Sequence, residues 1–232
     1  FQILKNKTFH ETFEKVPSHL KAFQIYVGNG RSFNLPEVDV KDICNARYIK
    51  RDRYVCIHGS LILKPCGSVE PNDEELSSKT ERMKKLLTAE LDIGAGLGGG
   101  IVLHIGSCKN REIGISRIVE TLNDVLTRKT RASKDLANEL QISETDFISQ
   151  RLVILENCAG EGTKIGKNLD ELSQILNMLD GKVKNQVTIC IDTAHDFGAG
   201  GYRWGKPEQV LKFYKDFDEK IGLDKLEMFH LN

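Results

Sequence analysis

Six side chains that can bind a metal ion lie at or close to the ends of apolar runs in this sequence. They are His58, His104, Glu156, Asp192, His195 and His230. One histidine in such a position is more often a hydrogen-bonded structural residue, but six groups at five run ends are difficult to attribute to chance. Imidazole and carboxylate ligands without a set of thiolates suit zinc or another divalent first-row ion in an open catalytic site. The set exceeds the three protein ligands of one catalytic zinc, so we expect two or more ions, an arrangement that favours phosphoester hydrolysis.

The apolar runs alternate with segments of helical periodicity. The runs are 22–27, 54–58, 100–106, 152–157, 187–192 and 226–232, with a weaker candidate at 1–4, and the helical segments are 77–96, 115–129, 169–180 and 206–222. Continuous apolar runs predict strands buried on both faces of a parallel sheet, and the alternation predicts βαβ units. Right-handed crossovers then give a doubly wound sheet or a closed barrel. Seven units favour an α/β fold of the TIM (β/α)8 barrel type with its last strand and helix absent from this chain, and such barrels carry their chemistry at the carboxyl ends of the strands.

Composition limits the classes of function. The 33 basic and 33 acidic side chains give a formal net charge of zero, so a polyanion would have to be bound by local patches. Basic clusters occur at 47–53, 109–111 and 128–134, and each one alone is best interpreted as a solvated face or loop.

The six cysteines include no CxxC pair, so we expect a reducing intracellular compartment, cytoplasm or nucleus. No apolar run approaches the roughly 18 residues of a membrane span, and no low-complexity linker divides the chain. We therefore expect one incomplete domain over 1–232 that does not associate with membranes.

Other catalytic motifs find no support. The sequence contains neither GxSxG nor GxxxxGK[ST], which removes nucleophilic-serine and P-loop chemistry. The glycine run at 94–100 precedes an apolar run, whereas a dinucleotide-binding loop follows a strand. We interpret it as a helix end and a loop.

Four segments in this order, "LHIGS", "LENCAGEGTKIG", "CIDTAHDFGAG" and "FHLN", resemble the endonuclease IV family of apurinic/apyrimidinic endonucleases. The resemblance covers about residues 22 to 232. It implies a zinc-dependent DNA-repair enzyme on a TIM barrel of the xylose-isomerase-like type, with three zinc ions at the barrel mouth. By this resemblance His58, His104 and Glu156 would hold the first ion, and Glu156, as the catalytic residue, would bridge to the second. Asp192 and His230 would bind the second ion and His195 the third.

The resemblance also implies a substrate and a reaction. A monomer would bind double-stranded DNA and hydrolyse the phosphodiester 5′ to an abasic site, leaving a 3′-hydroxyl and a 5′-deoxyribose phosphate. The segment "VGNGRSF" resembles the family's DNA-penetrating loop, which puts Arg31 at the abasic gap. Leu61 occupies a place where the family often has an aromatic wedge.

Three departures from the family pattern and two alternatives accompany this resemblance. The family's first-strand "GAH.S" is not found, Leu61 is smaller than an aromatic wedge, and the chain stops at "HLN", before the family's late Asp-x-His pair and Glu. The second and third zinc sites are therefore expected to be incomplete in this chain. One alternative is a sugar isomerase or epimerase that binds a divalent metal on a related barrel. The other is a DNA-lesion binder that does not cleave.

Overall fold

The strands lie where the apolar runs predict them. The computed structural model describes residues 2–4, 8–28, 32–66 and 73–232. Within these residues the strands are β1 (Gln2–Leu4), β2 (Ala22–Tyr26), β3 (Tyr54–His58), β4 (Gly100–His104), β5 (Val153–Glu156), β6 (Val187–Asp192) and β7 (Leu226–His230). The strands are hydrogen-bonded in sequence order. The registers of β1 with β2, β2 with β3, β3 with β4 and β6 with β7 are parallel, as the continuous apolar runs predict.

Helices occupy the segments between the strands. In the described part of the chain they are α1 (Phe9–Glu14), α2 (Val40–Lys50), α3 (Asp73–Leu97), α4 (Arg111–Val125), α5 (Arg131–Glu139), α6 (Glu144–Ser149), α7 (Leu169–Met178), α8 (Thr193–Gly198) and α9 (Pro207–Lys220). The four helices predicted from periodicity are α3, α4, α7 and α9. None of the helices within the described ranges is long and apolar enough to span a bilayer.

The five helices that the periodicity did not predict begin at a capping side chain, and all of them except α2 have only six to nine residues. Their N-caps are Thr8, Asp39, Thr130, Ser143 and Asp192, and each of these side chains accepts a hydrogen bond from a backbone N–H of the first turn. Such caps satisfy donors that have no intrahelical partner, and they stabilise helices too short for a clear apolar stripe. The polar segment after β6 begins with α8, because the Asp192 side chain caps a helix there.

The chain divides into two compact units, each discontinuous in sequence. The first comprises residues within 1–63, 81–102 and 124–153, and the second comprises residues within 64–80, 103–123 and 154–232. Strands β4 and β5 pass from the first unit into the second. The expectation of one domain over 1–232 stays a prediction.

Arginine side chains anchor the first unit. Arg151 is fully buried, and its guanidinium donates to Asp92 at 2.7 Å and to the Val125 carbonyl at 2.9 Å. In the basic cluster 47–53, Arg47 donates to the Ala95 carbonyl at 2.9 Å, and Arg53 donates to backbone carbonyls of α1 and α2. The interpretation of this cluster as solvated side chains therefore needs correction, because these two arginines bind helix carbonyls within the unit.

The glycine run at 94–100 ends a helix, as predicted, although α3 continues through its first half. Gly98 has a φ of +69°, the left-handed conformation in which helices commonly end. A Cβ atom on Gly99 would lie 1.9 Å from the Val55 carbonyl oxygen, so only glycine allows this approach to β3. The run thus ends α3, as predicted, and Gly99 in addition allows close packing against β3.

In the second unit, β6 and β7 pair so that their metal-capable ends are adjacent. The register places Asp192 opposite His230. Behind β7, the Phe229 ring lies 5.8 Å from the ring of Phe213 and 5.7 Å from that of Trp204. This aromatic cluster holds β7 against α9 and thereby supports the strand end that carries His230.

Candidate metal centre

The second unit contains five of the predicted ligands, four at the carboxyl ends of strands and one directly after β6. β4 ends at His104, β5 at Glu156, β6 at Asp192 and β7 at His230. His195 lies in the first helical turn after β6, on α8. Because parallel strands end at a common edge, residues far apart in sequence meet there.

Glu156 lies at the centre of this group. Its Oε1 atom is 3.1 Å from Nδ1 of His230 and 3.5 Å from Nδ1 of His195. Its Oε2 atom is 3.5 Å from Nε2 of His104. One carboxylate therefore faces three imidazoles through both of its oxygens, and its role as a bridging ligand stays a prediction.

The charges of the group favour a cation. Glu156 is 2% exposed and Asp192 is 3% exposed, and together with His195 each offers a ligand atom within 4.8 Å of the others. Buried carboxylates are costly unless opposite charge and hydrogen bonds compensate them. The hydrogen bond to Glu156 raises the pKa of His230 above its ordinary value. A divalent ion bound by imidazole nitrogens and carboxylate oxygens would compensate both carboxylates, and this donor set fits zinc.

Both oxygens of the Asp192 carboxylate are engaged by neighbouring residues. Oδ1 accepts the backbone N–H of His195 at 2.9 Å, which caps α8. Oδ2 accepts the side-chain amide of Asn232 at 3.0 Å, and the Asn232 backbone N–H donates to Thr193 at 3.1 Å. These bonds fix the orientation of the carboxylate and set the start of the helix that carries His195.

Asn157 is a buried positioning residue that the sequence analysis missed. Its side-chain oxygen accepts the Asp192 N–H at 2.6 Å, and its side-chain NH2 donates to the Asp192 carbonyl at 3.2 Å. Its backbone carbonyl lies 3.0 Å from Nδ1 of His195. A carbonyl that binds one ring nitrogen orients a histidine for ligation through the other. The available signal was its position directly after Glu156. Asn232, which holds the Asp192 carboxylate, was also not predicted from the sequence.

His58 lies at the end of β3, in the first unit. It is buried, its Nδ1 atom is 2.9 Å from the Gly59 carbonyl oxygen, and its ring centroid is 4.9 Å from that of Tyr26. Its role as a metal ligand stays a prediction.

The two residues expected to contact DNA have different outcomes. Arg31 lies outside the described residues. Leu61 lies in the turn that follows β3 and is 58% exposed. Its contact with DNA stays a prediction.

Comparison with known proteins decides the family. A family model described as a xylose isomerase-like TIM barrel matches residues 19–232. The protein named "Probable endonuclease 4" in Halothermothrix orenii is 31% identical over 216 residues, a match that covers 91% of this chain and 68% of that protein. The chain belongs to the endonuclease IV family. The predicted α/β class, the TIM-barrel fold and the family resemblance are thereby confirmed.

Solved structures agree with the endonuclease IV fold. The endonuclease IV of Thermus thermophilus has a TM-score of 0.69 at 22% identity, and the match covers all of this chain and 75% of that one. A D-tagatose 3-epimerase-like protein has a TM-score of 0.60 at 16% identity, with the same coverage. At these identities both comparisons show only a shared barrel fold. The similarity in sequence to endonuclease 4 proteins is what assigns the chain to the endonuclease family.

Proposed function

We propose that this endonuclease IV family member is a zinc-dependent DNA-repair endonuclease that hydrolyses the phosphodiester 5′ to abasic sites, giving a 3′-hydroxyl and a 5′-deoxyribose phosphate. Family membership makes it an enzyme that hydrolyses DNA. The observation that carries the finer proposal is the buried Glu156 carboxylate, which lies 3.1 to 3.5 Å from three histidines and beside a second buried carboxylate.

Each group has a role in this proposal. Glu156 is the catalytic bridging ligand, and His104, Asp192, His195 and His230 complete the coordination in this unit. We add His58 as a ligand from the family resemblance. When bound, zinc lowers the pKa of a coordinated water to about 7 and supplies positive charge beside a phosphate.

The protein's own residues would orient that chemistry. The Asn157 carbonyl orients the ring of His195 through Nδ1, and Asn232 holds the Asp192 carboxylate. Because Asn157 is buried and Asn232 makes a second hydrogen bond, to Thr193, the ligands would change little in position when the phosphate is bound.

DNA recognition is assigned to the loops after β2 and β3. We propose that Leu61 wedges into the bent duplex and that Arg31 enters the abasic gap, where a missing base makes distortion of the duplex least costly. Contacts to phosphates supply the remainder of the affinity, so binding should weaken as salt concentration rises.

The experiment compares Glu156→Gln with the wild-type chain. Nicking of an abasic duplex, with zinc supplied, should fall at least about 100-fold, and zinc content measured by mass spectrometry should also fall, because the bridging charge is lost. Glu219→Gln, which changes an exposed glutamate on α9, is the matched control and should leave both readouts unchanged. Equal nicking by Glu156→Gln and wild type would refute the metal-centre assignment.

A sugar epimerase is the second candidate, favoured by the structural similarity to the D-tagatose 3-epimerase-like protein. Incubation of the wild-type chain with zinc or manganese and either an abasic duplex or a ketohexose separates the two. Nicking without epimerisation supports the endonuclease, and epimerisation without nicking supports the alternative. Tight binding of abasic duplex without either reaction would indicate a lesion-binding protein.

A further inference from the structure

A buried glutamate on α3 binds the turn that follows β3 in the first unit. Glu90 has no exposed surface. Its carboxylate accepts the backbone N–H of Ser60 at 3.1 Å, and the Ser60 hydroxyl donates a second, short hydrogen bond to it. Ser60 is itself buried, at 5% exposure. The helix is therefore tied directly to the turn after β3.

The same carboxylate lies close to the loop after β2. A Cβ atom on Gly28 would lie 3.7 Å from Oε1 of Glu90 and 3.5 Å from the Ser60 hydroxyl, which places Gly28 beside both groups. Gly28 is the last described residue before the segment that contains Arg31. Leu61, exposed, directly follows Ser60. One carboxylate thus binds the turn that carries Leu61 and lies near the end of the described residues after β2.

Stability alone does not account for a carboxylate at this place. Burial raises the pKa of Glu90 to about 7, even though the two bonds from Ser60 act in the opposite direction. Burying a carboxylate without an opposite charge is costly, and hydrogen bonds offset only part of that cost. A group that is costly to bury, and that holds a loop through two bonds, is therefore better explained by what it positions.

We propose that Glu90 is a positioning residue that holds the turn carrying Leu61 in the orientation that engages the abasic duplex. This proposal rests on the proposed function for its DNA readout. Its structural step concerns only Glu90 and Ser60, and that step can be measured without DNA.

The test replaces Glu90 and measures two quantities separately, the order of the turn by hydrogen exchange and the kinetics of nicking. In Glu90→Leu, amide hydrogen exchange of the peptide covering 59–63 should accelerate at least tenfold. KM for nicking of the abasic duplex should rise about tenfold, while kcat and zinc content stay within twofold, because Glu90 contacts the turn after β3 and not the zinc ligands. Glu90→Gln, which keeps the size and one acceptor oxygen, should rescue most of both effects.

Two further variants keep the test decisive. Ser60→Ala removes the hydroxyl bond while retaining the backbone bond, and should give the same changes at smaller size. It takes the place of Glu90→Leu in the test if that variant does not fold. Thr88→Val is the matched control, because Thr88 is also buried on α3 but donates only to the Lys84 carbonyl of its own helix. It should leave exchange and KM unchanged.

The outcomes separate the two proposals. Unchanged exchange at 59–63 in both Glu90→Leu and Ser60→Ala would overturn the positioning role, whatever the DNA assays show. Accelerated exchange with unchanged KM would also overturn it, because the turn would then be ordered for stability only. If the wild-type chain does not distinguish abasic from intact duplex, the proposed function fails, and the exchange experiment still decides whether Glu90 orders the turn.

Discussion

Replacing Asn157 by alanine should weaken both the fold and the metal centre. The side chain accepts the Asp192 N–H at 2.6 Å and donates to the Asp192 carbonyl at 3.2 Å, and it is 2% exposed. In Asn157→Ala both backbone groups of Asp192 lose their partner in a buried place, at about 1 to 3 kcal/mol for each unsatisfied group. We expect the free energy of unfolding to fall by about 3 kcal/mol. Because Asp192 and the cap of α8 lose their anchor, zinc affinity should fall about 10- to 100-fold.

The assay separates these two effects. Urea unfolding in the presence of a chelator measures the stability of the metal-free chain, and competition with a chromogenic chelator then measures zinc affinity. Asn177→Ala is the matched control, because Asn177 is exposed on α7 and its amide bonds a neighbouring side chain of the same helix. Its unfolding free energy should change by less than about 0.5 kcal/mol.

The reasoning about Asn157 has a clear refutation. A loss of less than about 1 kcal/mol in Asn157→Ala would show that the Asp192 backbone groups find other partners. Unchanged zinc affinity would show that the orientation of Asp192 and His195 does not depend on Asn157.

Two further predictions concern the first unit. Burial raises the pKa of Glu90 from 4.5 to about 7, so the folded chain binds a proton more tightly than the unfolded chain. Protonation of Glu90 therefore contributes to the free energy of unfolding. This contribution, at most about 3 kcal/mol, is complete below pH 4.5 and is lost as pH rises through 7. Urea unfolding of wild type and Glu90→Gln at pH 5 and pH 8 should show this difference, and parallel pH profiles would contradict it. Gly99→Ala should lower the free energy of unfolding by more than about 2 kcal/mol, because its Cβ would overlap the Val55 carbonyl. Gly181→Ala, with nothing within 4 Å of its Cβ, should change it by less than about 0.5 kcal/mol, and equal effects would exclude the packing explanation.

The strands and the ligands at their ends were predictable because their signals are local. A continuous apolar run marks a buried strand wherever it occurs, and the residue type at its end is visible in the same few letters. His104, Glu156 and Asp192 could therefore be assigned to one edge from the rule that parallel strands end together. The short helices were less predictable, since six to nine residues, as in α5, α6 and α8, are too few to show a 3.6-residue period.

The sequence by itself thus determined the order of the strands, the family and the edge where the ligands lie. Only the tertiary structure decided which residues hold those ligands, and the turn after β3, in place. Asn157 bonds Asp192 across 35 positions, Asn232 bonds it across 40, and Glu90 bonds Ser60 across 30. A single asparagine or glutamate has no periodicity and no flanking pattern that identifies its partner. Its role arises when the chain brings distant backbone groups into a buried space, where each polar group must find a hydrogen bond.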